Sequence, residues 1–412
     1  MPTGHPPRAC LVHDWLTGMR GGEAVLEALC RLLGPVDLLT LIHVPGAVSP
    51  TIERRRIVTS FLNELPAVAR YYRCLLPLMP LAARRLDASE YDLVISSSHC
   101  VAHGVGGRWP GQLHVCYCHT PMRYVWSHLD EYAAAAGPAG PLLRSLAGPL
   151  RRWDLAAAAG VDLYLANSQA VAGRIERYYG RQAVVVHPPV DVDFFTPDGG
   201  PREDFYLAVA GPAAYKRIEQ AIAACRKLGC RLKVAGRTTR AVRALAGRAD
   251  GDAGDGANVE LPGWQSRNEL RELYRRCRAV LFPGEEDFGI VPVEACACGA
   301  PVIALAAGGA LETVVDAAQG LGVPRLRSLQ PCLQCPDMEA PTGLLYRQPT
   351  TEGLAEAIRQ FESLPQAAGD GPLFDAGRMH EHARRFAPEA FADGFLAAVG
   401  PLIQERGWLM PW

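Results

Sequence analysis

The stretch PGEEDFGIVPVEACACGAPVIA, residues 283–304, decides how the whole chain is read. It begins as one apolar run, AVLFP (279–283), ends and runs into another, PVIAL (301–305), so it reads as strand, acidic loop, helix, turn and strand. Phe288-Gly289-Ile290 opens the helix. A glycine there lets backbone N–H groups approach a ligand closely, and a helix N-terminus favours an anion such as phosphate. Glu286 falls in the loop and Glu294, eight residues on, about one turn inside the helix, so the two carboxylates can meet two parts of one ligand. The competing reading is a helix start decorated with acid, where carboxylates favour the dipole in any case.

The same alternation extends in both directions. Toward the N-terminus, strands are expected at ACLVH (9–13), VDLLTL (36–41), DLVISS (92–97), LHVCYC (113–118), VDLYLAN (161–167) and AVVVH (183–187), with helical stretches between most of them. HPPVDVDFFTPDGGPRED (187–204) is rich in Pro, Gly and Asp and reads as a linker. A second series follows: FYLAVA (205–210), RLKVA (231–235), VELPG (259–263), AVLFP, PVIAL and GLLY (343–346), with helices opened by Lys216, Thr238, Ser266 and Ile290. The expected organisation is a Rossmann-like domain over 1–188, a linker over 189–204, a second such domain over 205–385, and a closing helix within 386–412 that returns to the first. Two α/β halves of this kind imply sheets facing across a cleft, with ligands beyond the carboxyl ends of the strands.

Composition bounds the function. The 412 residues suit two or three domains at roughly 150 residues each. With 49% hydrophobic and 21% charged residues, disorder, collagen and coiled coil are excluded. Lys+Arg (42) and Asp+Glu (43) nearly cancel, so no global field would hold the chain on nucleic acid, and no nucleic-acid partner is expected. The opening MPTGHPPRAC lacks the layout of a signal peptide, and a cytoplasmic protein is expected. The 13 cysteines are scattered through apolar runs and read as small buried hydrophobes. Cys332 and Cys335 form a CxxC in the insertion-like segment 317–340, without two further ligands nearby for zinc, and read as loop thiols. The Ala/Gly/Pro stretch 133–140 and the Gly/Asp/Ala run 249–257 read as surface loops.

E-D-F-G-I-V-P-V-E-A followed by C-G-A-P-V-I-A closely resembles the E-x7-E signature of retaining glycosyltransferases of family 4, which have the GT-B fold. The likeness extends through HDWLTGMRGGE (13–23), YCHTPMRYVW (117–126), ANSQAVAGRI (166–175), HPPVDVDFF (187–195), YKRIEQAI (215–222) and LPGWQSRNEL (261–270), in the family's usual order. The first two blocks look like those of bacterial mannosyltransferases that build surface polysaccharides. The resemblance implies transfer of a hexose, mannose from GDP-mannose by preference or a UDP-sugar as the alternative, to a glycan or lipid-linked acceptor with retention of configuration. No cofactor and no metal are expected.

It also assigns roles. Glu294 would hold the nucleotide ribose hydroxyls, Glu286 the donor-sugar hydroxyls, and the backbone of Phe288, Gly289 and Ile290 the pyrophosphate. Lys216 would neutralise the departing diphosphate. Gly21 and Gly22 would admit the donor phosphates, and His119, at a strand's carboxyl end, would contact the donor sugar. The family usually has an arginine five residues before the lysine, where this chain has Gly211. Loss of one such cation costs a factor of roughly 10²–10³ by analogy with a lost oxyanion donor. Either Arg217 or Arg237 substitutes, or the protein is a degenerate member that binds nucleotide sugar or glycan as a scaffold or sensor. Asp191-Val-Asp193 matches the metal-binding D-x-D formally, but its place in the linker makes these aspartates turn and capping residues. Arg54-Arg55-Arg56 and RYYRCLLPLMPLAARRL (70–86) set basic and aromatic residues beside an apolar run. That pattern suits either a surface touching anionic lipid at the inner face of the membrane or an interior segment with solvated arginines. A dehydrogenase is poorly supported, since no G-x-G-x-x-G follows a first strand.

Overall fold

A computed structural model of the chain describes residues 5–211, 213–247, 258–317, 340–365, 367–368 and 371–410. Cys332, Cys335 and the run 249–257 lie outside the described residues. The chain divides into two compact units, Met1–Pro189 with Pro388–Trp412, and Val190–Ala387.

In the first unit the apolar runs form seven strands: β1 Ala9–His13, β2 Asp37–Thr40, β3 Ile57–Thr59, β4 Leu93–Ser98, β5 Leu113–Cys118, β6 Leu163–Ala166 and β7 Ala183–Val185. They pair in parallel in the order β3-β2-β1-β4-β5-β6-β7. Strands of an all-parallel sheet are covered on both faces, which is why β4 and β5 are buried at every residue. The order reverses between β1 and β4, and that switch point is where such sheets bind ligands.

The second unit repeats the plan with β8 Tyr206–Ala210, β9 Leu232–Gly236, β10 Val259–Gly263, β11 Ala279–Phe282, β12 Val302–Leu305 and β13 Gly343–Tyr346. All pair in parallel, in the order β10-β9-β8-β11-β12-β13, so its switch point lies between β8 and β11. The helix Arg267–Arg276 is started by a capping box, with Ser266 accepting from the Glu269 N–H and Glu269 reaching back to Ser266.

Three features differ from the sequence reading. The strand β3 went unread: its three residues are half-buried at the sheet edge, directly after the Arg54–Arg56 run. Part of the expected linker belongs to a core, because Val190, Val192 and Phe195 are buried in the second unit and the Val190 N–H donates to the Phe386 carbonyl. The stretch 133–140, expected as a surface loop, is the end of the helix Leu129–Ala135, a short 3-10 turn and the start of the helix Gly140–Ala158. Of the arginines of 54–56, Arg54 and Arg56 are exposed and Arg55 is half-buried. Arg55 donates to the carbonyls of Cys30 and Gly34, satisfying the end of the helix Gly21–Leu33, and Arg56 pairs with Asp37 at 3.1 Å.

The stretch 376–405 is apolar and long enough to cross a membrane. Phe391, Phe395, Val399 and Ile403 of its helix Pro388–Glu405 are instead buried in the first unit's core with Leu11, Val25 and Ile95, which accounts for the hydropathy. Of the eleven described cysteines nine are buried, and all eleven are free thiols.

Candidate functional site

Each unit gathers its chemistry at its own switch point. In the first, β1 ends at His13, whose register partner on β4 is Ser97. His13 Nδ1 lies 3.1 Å from Ser97 Oγ, and the same hydroxyl lies 2.8 Å from Nε2 of His119, which follows β5. One serine thus bridges two imidazoles. Burial pushes His13 down to about 4, so it is neutral at pH 7, and its Nε2 is enclosed without a hydrogen-bond partner among the described residues.

Gly22 stands against both rings: a Cβ there would be 3.6 Å from His13 Cε1 and 3.7 Å from His119 Nε2. It belongs to the first turn of the helix Gly21–Leu33, where Arg20 supplies no side-chain cap, so the helix presents an open N-terminus beside His119. Glu23 is buried in that turn. Desolvation raises its carboxyl, against the backbone N–H groups of Glu23 and Arg20.

Asp14, the next residue of the HDW triplet, is fully buried and saturated. Its carboxylate accepts from the backbone N–H groups of His99, Cys100, Val101 and Ala102 and lies 3.0 Å from His99 Nδ1. Burial alone would raise this carboxyl; the His99 charge and hydrogen bond outweigh it and hold Asp14 well below the usual range. Asp14 is therefore a fixed internal anion that shapes the loop after β4. Behind it, Asp154 accepts from the Trp126 indole N–H (2.7 Å) and the Tyr179 hydroxyl (2.8 Å), which pins the segment following His119.

In the second unit, β8 leads to Lys216 and β11 to Glu286. The two meet: Lys216 Nζ is 2.6 Å from Glu286 Oε1, both half-buried. Gly284 makes this approach available, since a Cβ there would come within 2.6 Å of the Tyr215 carbonyl. Glu286 is also held from the neighbouring strand end. The Gly309 N–H donates to the Glu286 carbonyl at 2.9 Å, and a Cβ on Gly308 or Gly309 would strike the backbone of Glu286 or Phe288.

The Phe288 side chain is core, packed on Phe386, so only its backbone is available to a ligand. Gly289, at φ +91°, caps the helix Ile290–Ala297 without a side-chain bond, leaving the helix N-terminus open. One turn in, Glu294 is half-buried and accepts from the Tyr274 hydroxyl at 2.9 Å. Desolvation pushes the Glu294 carboxyl up to about 7, against the lowering effect of Tyr274, Arg267 and Lys216.

Arg217 sits in the left-handed region at φ 50°, an uncommon conformation for a side-chain-bearing residue and one that gathers at functional turns. Its Nη1 is enclosed without a hydrogen-bond partner among the described residues. Arg237 is exposed just past β9. Asp191 and Asp193 act as turn residues: Asp191 accepts from the Phe194 N–H and pairs with Arg267 at 2.6 Å.

The structure therefore brings together Lys216 with Glu286, and Gly22 with His119. It adds His13, Asp14, Ser97, His99 and Tyr274, which sequence reasoning did not single out. The signal for Asp14 was the charged residue placed directly after an apolar strand.

Comparison with known proteins supplies the context. Residues 19–194 match the family described as Glycosyltransferase Family 4, and residues 196–327 that described as Glycosyl transferases group 1. A D-inositol 3-phosphate glycosyltransferase of Mycolicibacterium smegmatis is 35% identical over 321 residues, covering 73% of this chain and 70% of its own length. Among solved structures, sucrose-phosphate synthase from Thermosynechococcus elongatus superposes with a TM-score of 0.66 at 18% identity, over 97% of this chain and 100% of that one. Anabaena HepE in complex with UDP and glucose gives 0.63 at 17% identity, over 95% and 99%. At such identities the likeness is one of fold, and the fold is GT-B.

Proposed function

This chain belongs to glycosyltransferase family 4, and we propose that it moves a hexose from a nucleotide sugar to a glycan or lipid-linked acceptor, with retention of configuration and without a metal ion. The observation that carries this reading is the Lys216–Glu286 pair at the second unit's switch point, with Glu294 eight residues on beside an open helix N-terminus. An ionised carboxylate is an acceptor suited to paired sugar hydroxyls, and the family resemblance assigns Glu294 to the ribose and Glu286 to the hexose. The helix N-terminus and the Lys216 ammonium stabilise charge that grows on the departing diphosphate.

In the reaction, the bond between the anomeric carbon and the phosphate oxygen breaks while the acceptor oxygen bonds on the same face of the sugar. The acceptor proton passes to the leaving phosphate oxygen. The protein supplies position and electrostatic stabilisation rather than a nucleophile. His119 and the Gly21-Gly22 turn are assigned to the donor sugar and phosphates by the family resemblance, and the approach of Gly22 to the His119 ring supports a common role.

For the donor, the blocks HDWLTGMRGGE and YCHTPMRYVW favour GDP-mannose. A UDP-sugar is the second reading, favoured by the UDP-bound neighbour of the same fold. Calorimetric titration with GDP-mannose and UDP-glucose, with mass spectrometry of released sugar, tests both. Glu286→Ala is expected to impair turnover more than binding, and Glu294→Ala to weaken binding. The reverse pattern would sink the assignment, and binding without any sugar release or transfer would favour the scaffold reading.

The acceptor side is proposed to meet anionic lipid at the cytoplasmic face of the membrane. Among the described residues, four of the eleven exposed large hydrophobics, Leu65, Tyr71, Leu78 and Leu81, fall within one segment. The exposed Arg70, Arg73, Arg84 and Arg85 accompany them, and no acidic residue occurs in 65–85. At about 1 kcal/mol per arginine near such a surface, changing all four to Glu abolishes flotation with anionic vesicles. Unchanged flotation would remove the patch from the reading.

A further inference from the structure

The second unit's switch point is acidic on its β11 side. The turn after β11 carries Glu285, Glu286 and Asp287. Lys216, after β8, already stands 2.6 Å from Glu286, which offsets part of its charge. Arg217, in the left-handed region, has its Nη1 enclosed. Like charge on the turn after β11 opposes an arriving diphosphate unless a further cation faces it.

The next strand supplies one. β9 pairs with β8 in parallel with Ala210 opposite Gly236, so Gly211 and Arg237 are the residues one step past that pair, on strand ends about 4.8 Å apart. The two ends are pressed together at this point: Gly236 takes φ +105°, and a Cβ there would strike the Ala210 carbonyl. Arg237 thus starts beside Gly211. It is exposed, and among the described residues it makes no hydrogen bond or ion pair.

Gly211, by contrast, is not a glycine its backbone requires. It has no positive φ, and an added Cβ would meet only the flexible stem of Lys216, at 3.0 Å from Cε and 3.2 Å from Cδ. Its missing side chain lets the stem of Lys216 lie against the backbone there.

We propose that Arg237 extends over Gly211 to the diphosphate of the bound nucleotide sugar and supplies there the guanidinium that position 211 does not carry. This rests on the nucleotide-sugar reading given above. It makes Arg237 a donor-contacting residue, and it makes 211 and 237 alternative origins for a single charge.

The test compares nucleoside monophosphate with diphosphate, GMP against GDP and UMP against UDP, by calorimetry on the full chain and on Arg237→Ala, Gly211→Arg and the double variant. Turnover with the matching nucleotide sugar is measured in parallel. Arg237→Ala is expected to remove at least tenfold of the preference for diphosphate and to lower turnover by roughly 10²–10³, by analogy with a lost oxyanion donor. Gly211→Arg is expected to recover at least tenfold of that loss in the Arg237→Ala background and to gain less than that in the wild type. Glu294→Ala, the control, weakens monophosphate and diphosphate alike. If Arg237→Ala keeps both the preference and the turnover while Glu294→Ala loses binding, this inference falls and the nucleotide-sugar reading stands. Equal gains from Gly211→Arg in both backgrounds would also overturn it, since they show two independent charges. If the wild type binds none of the four nucleotides, the nucleotide-sugar reading fails and takes this inference with it.

Discussion

The two units share a parallel sheet and a switch point, yet they treat carboxylates in opposite ways. Asp14 of the first is fully buried, receives four backbone N–H groups and a histidine, and has no capacity left for a ligand. Glu286 and Glu294 of the second are half-buried, each with one polar side-chain partner identified, and retain lone pairs to offer. One fold therefore uses the same functional group as scaffold in one place and as recognition element in the other. What separates them is saturation: an anion whose acceptor sites are filled by the backbone holds a loop, whereas one left partly open can exchange water for a sugar hydroxyl.

Breaking the scaffold carboxylate is expected to have the largest effect. Asp14→Ala strands four N–H groups and a half-buried histidine, at a cost of about 3–5 kcal/mol in urea unfolding of the first unit. The pH dependence has a definite sign. Asp14 is depressed, so its contribution is present above about 3.8 and lost as pH falls. His99 is raised, because Asp14's charge outweighs desolvation, so its contribution is complete below about 6.5 and lost as pH rises through its folded value. The penalty of the substitution is therefore greatest between about pH 4 and 6.5.

Glu286→Gln probes the other side. Turnover is expected to fall by about 10²–10³ while the unfolding midpoint moves little, since the residue lies outside the core. A loss of stability comparable to that of Asp14→Ala would erase the distinction between the units.

Glu294 sharpens the comparison through its titration. Its carboxyl is pushed up to about 7, and the ionised form is the one that accepts ribose hydroxyls. Nucleotide affinity is thus expected to rise with pH, by up to about tenfold per unit below 7, and to level off above it. Glu294→Gln removes the slope; a slope that persists in that variant assigns it elsewhere. The smallest effect belongs to Tyr274→Phe. Its hydroxyl favours the ionised form, so its loss moves the midpoint upward and weakens binding at pH 7 by about 1 kcal/mol.

Much of this was legible beforehand. The inner strands of the second unit appear as apolar runs because both sheet faces are covered, whereas the edge strand β10 alternates half-buried and exposed residues, and Glu286 and Glu294 are visible because loop and helix start lie close in sequence. Asp14 was quoted but not understood, since its partners are contributed by residues 85 to 88 positions away. The Lys216–Glu286 contact spans 70 positions, and nothing local announces it. Val190, Val192 and Phe195 hid in a stretch whose Pro and Asp content signals open chain, although every apolar side chain in it had a core to join.

The Gly308-Gly309 turn has a consequence for engineering. Because the backbone of Glu286 is gauged by a turn on a different strand, donor preference can be varied by substituting the side chains around the sugar while these two positions stay untouched. A library randomised over both regions would lose most of its members to misplacement of a carboxylate they never altered, whereas one that spares the glycines spends its diversity on specificity.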